Sequence, residues 1–272
     1  MKNKKMDYTF SAIIWYCFQE RVRFMRYPKV ELAQFLQRPN RFIAACKLLE
    51  TNETVIAHVK NTGRGKEVFL PNAMVALSYQ AAPTRKTDYD LIAIKKGQQW
   101  INIDSQVPNT LASEAIQSGQ IILPGLKGTI VTLKREQRYG QSKFDIYLET
   151  DLGERVFVEV KGMTLENLGI GAFPDAPSLR GLKHVKELTQ ASQAGYQCYV
   201  LFIVQFEAVS TVTIHRDMQP ALAEMLALAL TQGVQVLAYN CLVTPATIEI
   251  NHAVPFDLYQ EFVDPNVKYP LI

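Results

Sequence analysis

The sequence predicts an α/β chain, α+β overall, in which a small β-barrel precedes a mixed-sheet α/β domain. Two observations predict it. From about Val30 to Ile94, short strand-like runs follow one another across turns with no helix between them, the pattern of a small barrel. After Asp104, strand and helix patterns alternate, which builds a sheet with parallel crossovers. With 272 residues, 48% hydrophobic and 20% charged, the chain has material for one large or two ordinary domains and is not disordered as a whole.

Taken in order, the opening residues 1–29 read as an N-terminal extension. Lysines precede an apolar run from Phe10 to Phe18, too short to span a bilayer and without an A-x-A-like cleavage site. An amphipathic or partner-binding helix and a peripheral extension both fit; Met25 is a candidate start. Arg41–Leu49, Thr54–Val59, Met74–Tyr79 and Leu91–Ile94 read as strands, separated by turn residues at Thr51-Asn52, Asn61-Thr62-Gly63 and Pro71-Asn72. The expected boundaries are an OB-like, nucleic-acid-binding barrel at 30–84, an α/β domain at 85–256 and a tail at 257–272.

Pro108-Asn109 reads as a helix start, Thr110–Ser118 continues it, and Gly119 stops it. Phe144 to Lys161 then reads as a β-hairpin, with Asp151-Leu152-Gly153 as its loop. Ser178–Ala194 places Leu179, Leu182, Val185 and Leu188 on one helical face. Gln197–Phe206 is an apolar run suited to a strand buried on both faces, followed by a helix at Pro220–Thr231 and a strand at Val234–Leu242.

The hairpin carries the chemistry. A turn centred on Leu152 sets Asp145 opposite Glu159, and Lys161 returns to the face of Glu159. Val156, Val158 and Val160 fill the other face, so these charges sit in a strand suited to burial, where they need partners or a metal. The same residues also fit a solvated strand face with a Glu159–Lys161 ion pair. Basic residues cluster at Lys60, Arg64 and Lys66 and again at Arg85 and Lys86, either as solvated loops or as a grip on nucleic acid. Net charge is +3, too mild to establish such a partner. No H-E-x-x-H, G-x-S-x-G, Walker or G-x-G-x-x-G motif occurs, which weakens protease, hydrolase and nucleotide-binding readings and gives no small-molecule cofactor. Cys17, Cys46, Cys198 and Cys241 are far apart, as expected of reduced thiols in a reducing, cytoplasmic compartment.

The order of Glu114 on a helix, Asp145 on a strand and Glu159-Val160-Lys161 on the next resembles the core of PD-(D/E)XK, restriction-endonuclease-like nucleases. Longer strings are more specific: NTGR at 61–64, RKTDYDL at 85–91, PNTLASEAI at 108–116, YGQSKFDIYLE at 139–149, FVEVKGMTL at 157–165, FPDAPSLRGLKHVKEL at 173–188 and GVQVLAY at 233–239. Together they are similar to the sugar fermentation stimulation protein A family, over roughly Val30 to Pro255. Lys60 and Gly162 depart from its pattern, standing where Pro and a small polar residue are common. The resemblance implies DNA binding, possible regulation of maltose metabolism, and an OB-like domain ahead of a nuclease-like one.

A nuclease-like site implies that Asp145, Glu159 and Glu114 would hold Mg²⁺ or Mn²⁺ and that Lys161 would act on water or phosphate. Arg180, Lys183 and His184, on the following helix, become candidates for non-specific phosphate contacts with DNA. Glu114 also reads as a surface glutamate, and His184 as a histidine without a catalytic part. Two function classes follow: a metal-dependent DNA nuclease, and a DNA-binding regulator that does not cut. Oligomeric state is not legible.

Overall fold

In the computed structural model, residues 24–61 and 63–267 are described. After β1 (Met25–Arg26), the barrel strands are β2 (Val30–Asn40), β3 (Ile43–Leu48), β4 (Thr54–Val59), β5 (Met74–Tyr79), β6 (Tyr89–Lys96) and β7 (Gln99–Asn102). Their order is β4-β3-β2-β5-β6-β7, and parallel pairing of β4 with β6, from Ala57↔Tyr89 to Val59↔Leu91, closes the barrel. Phe35, Cys46, Leu48, Val59, Leu77, Leu91 and Ile94 fill its interior. The expected turns at Asn52 and Asn72 use left-handed asparagines, with φ of 61° and 64°.

The chain continues with α1 (Val107–Ser118), β8 (Ile130–Tyr139), β9 (Ser142–Thr150), β10 (Arg155–Met163), β11 (Leu165–Asn167) and β12 (Ile170–Phe173). Then come α2 (Leu179–Gln193), β13 (Gln197–Val204), β14 (Thr211–Ile214), α3 (Pro220–Thr231), β15 (Val234–Val243) and β16 (Thr247–Ala253). The large sheet has seven strands in the order β1-β16-β15-β13-β10-β9-β8, with β10, β13 and β15 mutually parallel and the rest antiparallel. The strand, helix, strand, helix, strand pattern requires that mixture. A small sheet, β11-β12-β14, lies beside it.

Helices cover both faces of the large sheet, which is why its central strands are apolar throughout. Leu111, Ala112, Ala115 and Ile116 of α1 pack on Ile146, Leu148, Val156, Val158 and Val160. Val185, Leu188 and Ala191 of α2, with Leu222 and Leu226 of α3, pack on the other face over Phe157, Val200 and Phe202. Gly119 ends α1 at φ 78°, where a side chain would be strained, and its N–H bonds Ile116 O at 3.1 Å.

Three expectations about boundaries change. The barrel does not end at 84, because β6 is the strand that closes it and β7 extends it to Asn102. The segment before Val30 is not wholly an extension: Met25 and Arg26 pair with Ile248 and Thr247, and Tyr27 is buried. The run Phe10–Phe18 lies outside the described residues. The tail, as far as residue 267, is packed, with Leu258, Phe262 and Asp264 buried. Cys46, Cys198 and Cys241 are free and buried; Cys17 lies outside the described residues. Among the described residues, no helix is long and apolar enough to cross a membrane.

Candidate active site at a kink in the large sheet

The β9–β10 ladder runs from Arg155↔Glu149 to Val158↔Ile146, and Gly153 takes φ 76° in the loop. Carried one step further, this register sets Asp145 across from Glu159, as a turn centred on Leu152 predicts. Here the strands part. Asp145 Oδ2 accepts the N–H of Val160 at 2.8 Å, and Oδ1 accepts from Asn109 Nδ2 of α1 at 2.7 Å. On the other side of β9, the register Arg135↔Ile146 and Gln137↔Phe144 places Glu136 across from Asp145. Glu136 is left-handed, with φ 59°. The alternation of β9 changes phase at this level: Ile146 belongs to the core under α1, whereas Phe144 packs against Phe157 and His184 on the α2 side. A bend shared by two strands therefore turns Asp145 out of the ladder.

Glu159 is 1% exposed. Its Oε1 binds both the Lys161 ammonium and His184 Nδ1, while its buried Oε2 has no hydrogen-bond partner among the described residues. His184 comes from α2, whose start is fixed by Ser178 Oγ accepting from Gly181 N at 3.0 Å. One turn earlier, Arg180 Nε points at His184 Nε2 from 3.5 Å. Because a guanidinium only donates, Nε2 is the acceptor and Nδ1–H donates to Glu159.

The two carboxylates are electrostatically unlike. Burial pushes the Asp145 carboxyl above its usual range, and the neighbouring Glu159 charge pushes it the same way. Burial also acts upward on Glu159, but Lys161 and His184 together outweigh it and hold that carboxyl below its usual range. Glu159 is thus the firmly ionised member.

Both departures from the family pattern have local causes. A Cβ on Gly162 would lie 2.6 Å from Gln205 Oε1 and 2.8 Å from Pro108, so a side chain there would push α1 off the strand. Lys60 makes an ion pair with Asp104 at 2.6 Å. Asp104 is fully buried and also accepts from Tyr27 OH at 3.3 Å and from Gln106 N at 3.1 Å; Gln205 Nε2 donates to its carbonyl at 3.1 Å. This hub fixes the start of α1 and therefore Asn109.

The structure brings together Asp145, Glu159, Lys161 and His184, and not Glu114. Glu114 lies five residues after Asn109, about 140° around the helix at 3.6 residues per turn, and it joins none of these bonds. Among the described residues no group of three His, Cys, Asp or Glu side chains is gathered as a metal site. His184 is buried and committed to Glu159 rather than free for phosphate. Lys60 and Arg85 are likewise committed: Arg85 pairs with Asp90, which also faces His58. Arg64 uses its backbone N–H to bond Asp175 at 3.1 Å, and Lys66 and Lys86 are exposed. Arg180 is exposed beside His184; Lys183 donates to Gln141 O at 3.3 Å and faces Glu187 at 3.8 Å. Asn109 is the site residue the sequence reading missed, although it lies within PNTLASEAI.

A closed barrel followed by a mixed sheet, with Asp145 and Glu159-Val160-Lys161 on one hairpin, defines a two-module protein of the restriction-endonuclease-like class. The family models agree in both halves: the SfsA N-terminal OB domain matches residues 36–103, and the sugar fermentation stimulation protein RE domain matches 106–247. The chain belongs to the sugar fermentation stimulation protein family. A sugar fermentation stimulation protein homolog of Enterococcus mundtii is 58% identical over 243 residues, 89% of this chain and 100% of that one. One from Clostridium botulinum is 45% identical, over 83% and 96%. The solved structure of Pyrococcus furiosus SfsA in complex with Ca²⁺ superposes with a TM-score of 0.75 at 28% identity, covering 86% of this chain and 98% of that one.

Proposed function

We propose that this protein binds DNA without sequence preference and cleaves its phosphodiester bonds at a divalent-metal site built on Asp145 and Glu159. The observation that carries the reading is the buried Oε2 of Glu159, unpartnered among the described residues, beside the half-buried carboxylate of Asp145. A buried anionic oxygen without a donor is costly unless a cation completes it. Both Asp145 oxygens keep a lone pair beyond the single bond each accepts, so the donor set suits a hard ion such as Mg²⁺ or Mn²⁺. The Ca²⁺ complex of the Pyrococcus furiosus relative points to the same class of ion. Bound there, the ion supplies Lewis acidity toward phosphate and an activated water.

The protein's own groups then have distinct tasks. Asn109 and the Val160 N–H orient Asp145. His184 and Lys161 hold one oxygen of Glu159 and leave the other free to hold the ion. Lys161, whose side chain is 18% exposed beside Glu159, would offset negative charge growing on a phosphate. Three buried free thiols fit work in a reducing, cytoplasmic setting.

A second reading, a DNA-binding regulator of sugar (maltose) metabolism that does not cut, is favoured by the meeting of two carboxylates where Glu114 stands apart. Calorimetric Mg²⁺ and Mn²⁺ titration beside single-turnover cleavage of labelled DNA separates the two. Under the nuclease reading, Asp145→Ala and Glu159→Gln abolish metal binding and cleavage, while DNA affinity holds or rises because carboxylates near a phosphate repel it. Wild-type protein that binds no divalent ion and cuts neither single- nor double-stranded DNA removes the nuclease reading.

A further inference from the structure

We infer that the bent outer strand β8 is the rail on which the DNA backbone lies as it enters the site, with Lys134, Arg135 and Arg138 as its phosphate contacts. The inference rests on the proposed nuclease site and says where its substrate runs. Between residues 127 and 143 the chain carries Lys127, Lys134, Arg135, Arg138 and Lys143 against one carboxylate, Glu136. Glu136 is taken by Lys143 at 2.6 Å. Lys134, Arg135 and Arg138 are exposed, and none has a carboxylate partner among the described residues.

Their placement is tied to the chemistry. β8 is the edge of the large sheet and pairs with β9, which carries Asp145. Arg135 and Arg138 flank the left-handed Glu136, at the level of Asp145. Arg135 also donates to Thr110 Oγ1 at 3.3 Å, next to the Asn109 that orients Asp145. At no more than about 3.3 Å per residue, Arg135 and Arg138 lie within roughly 10 Å of each other, so the two guanidiniums can reach neighbouring phosphates of one strand.

The rail has no aromatic platform. Val131 is its one exposed large apolar side chain. Contacts here therefore reach phosphate and not base, which gives affinity without sequence preference. Charges on an edge strand have a competing use, since they block pairing with a second chain. The two uses predict different failures.

The experiment uses the full chain and a fluorescein-labelled 20-base-pair DNA, with anisotropy measured in EDTA across a salt series. On the rail, Lys134→Ala, Arg135→Ala and Arg138→Ala each flatten the slope of log K against log salt by about 0.9. The triple variant binds at least a hundredfold more weakly at low salt while its calorimetric Mg²⁺ titration is unchanged. A triple variant with the wild-type slope overturns the inference, and self-association of that variant assigns the charges to edge protection. If the wild type binds no metal but the triple variant loses the slope, the rail stands and the nuclease reading falls. If the metal titrates and the slope holds, the reverse is true.

Discussion

The barrel side of the molecule and the outer strand of the large sheet are both rich in lysine and arginine, but their cations have different partners. Around the barrel, Lys60 is bound to Asp104, Arg85 to Asp90, and Arg38 donates to the carbonyls of Arg41, Asn61, Gly63 and Arg64. On β8, Lys134 and Arg138 have no carboxylate partner among the described residues, and Arg135 touches a threonine hydroxyl. The difference teaches that a basic cluster in a sequence is a ligand site only if the fold leaves it unneutralised. The paired barrel cations Lys60, Arg85 and Arg38 should govern stability, and the unpaired edge cations affinity.

The largest expected effect that tests this contrast is at Lys60. Lys60→Met leaves Asp104 buried without its cation, and urea unfolding should show a loss of about 2 kcal/mol, with DNA affinity of the folded protein unchanged. Loss of affinity at constant stability would reverse the comparison. Arg85→Ala should follow at about 1 kcal/mol, because the pair is part-exposed and His58 stays within 3.5 Å of Asp90.

Glu67 sharpens the contrast from the acidic side. It is buried near the tail, with one oxygen unpartnered among the described residues and the other accepting from Asn266 Nδ2 at 3.3 Å, and burial raises its carboxyl above the ordinary range. A raised carboxyl weighs against the fold while ionised. That penalty is full above the folded-state value and fades as pH falls toward the unfolded one. Glu67→Gln should therefore raise the melting temperature at pH 7, with the gain shrinking on acidification; a gain that grows with acid would refute the assignment. The smallest stability effect belongs to the edge. Lys134→Ala should alter unfolding free energy by no more than about 0.5 kcal/mol, and a larger change would mean that the strand needs its lysine to fold.

Much of the site was legible because it is local. Asp145, Glu159 and Lys161 lie on one hairpin, where a glycine loop and the two-residue period fix which residues meet. Asn109 and His184 belong to helices 36 and 25 residues away from the carboxylates they bind. Their helical faces could be read, but not which face of which strand each would meet. The strand β8 escaped because exposed charges interrupt its alternation. The barrel boundary moved for a related reason: the strand pattern ran on to Ile94, but only the pairing of β4 with β6 assigns that strand to the barrel and not to the domain expected from 85.

Asp104 carries a practical consequence. The family models stop at residue 103 and resume at 106, which looks like the place to cut the chain into two expressible pieces. Yet Asp104 is fully buried, with Lys60 of the barrel on one side and Tyr27, Gln106 and Gln205 around it. A division there would expose on each fragment a surface made for the other. The apparent linker is a weld, and the nuclease-like half should be prepared with its barrel attached.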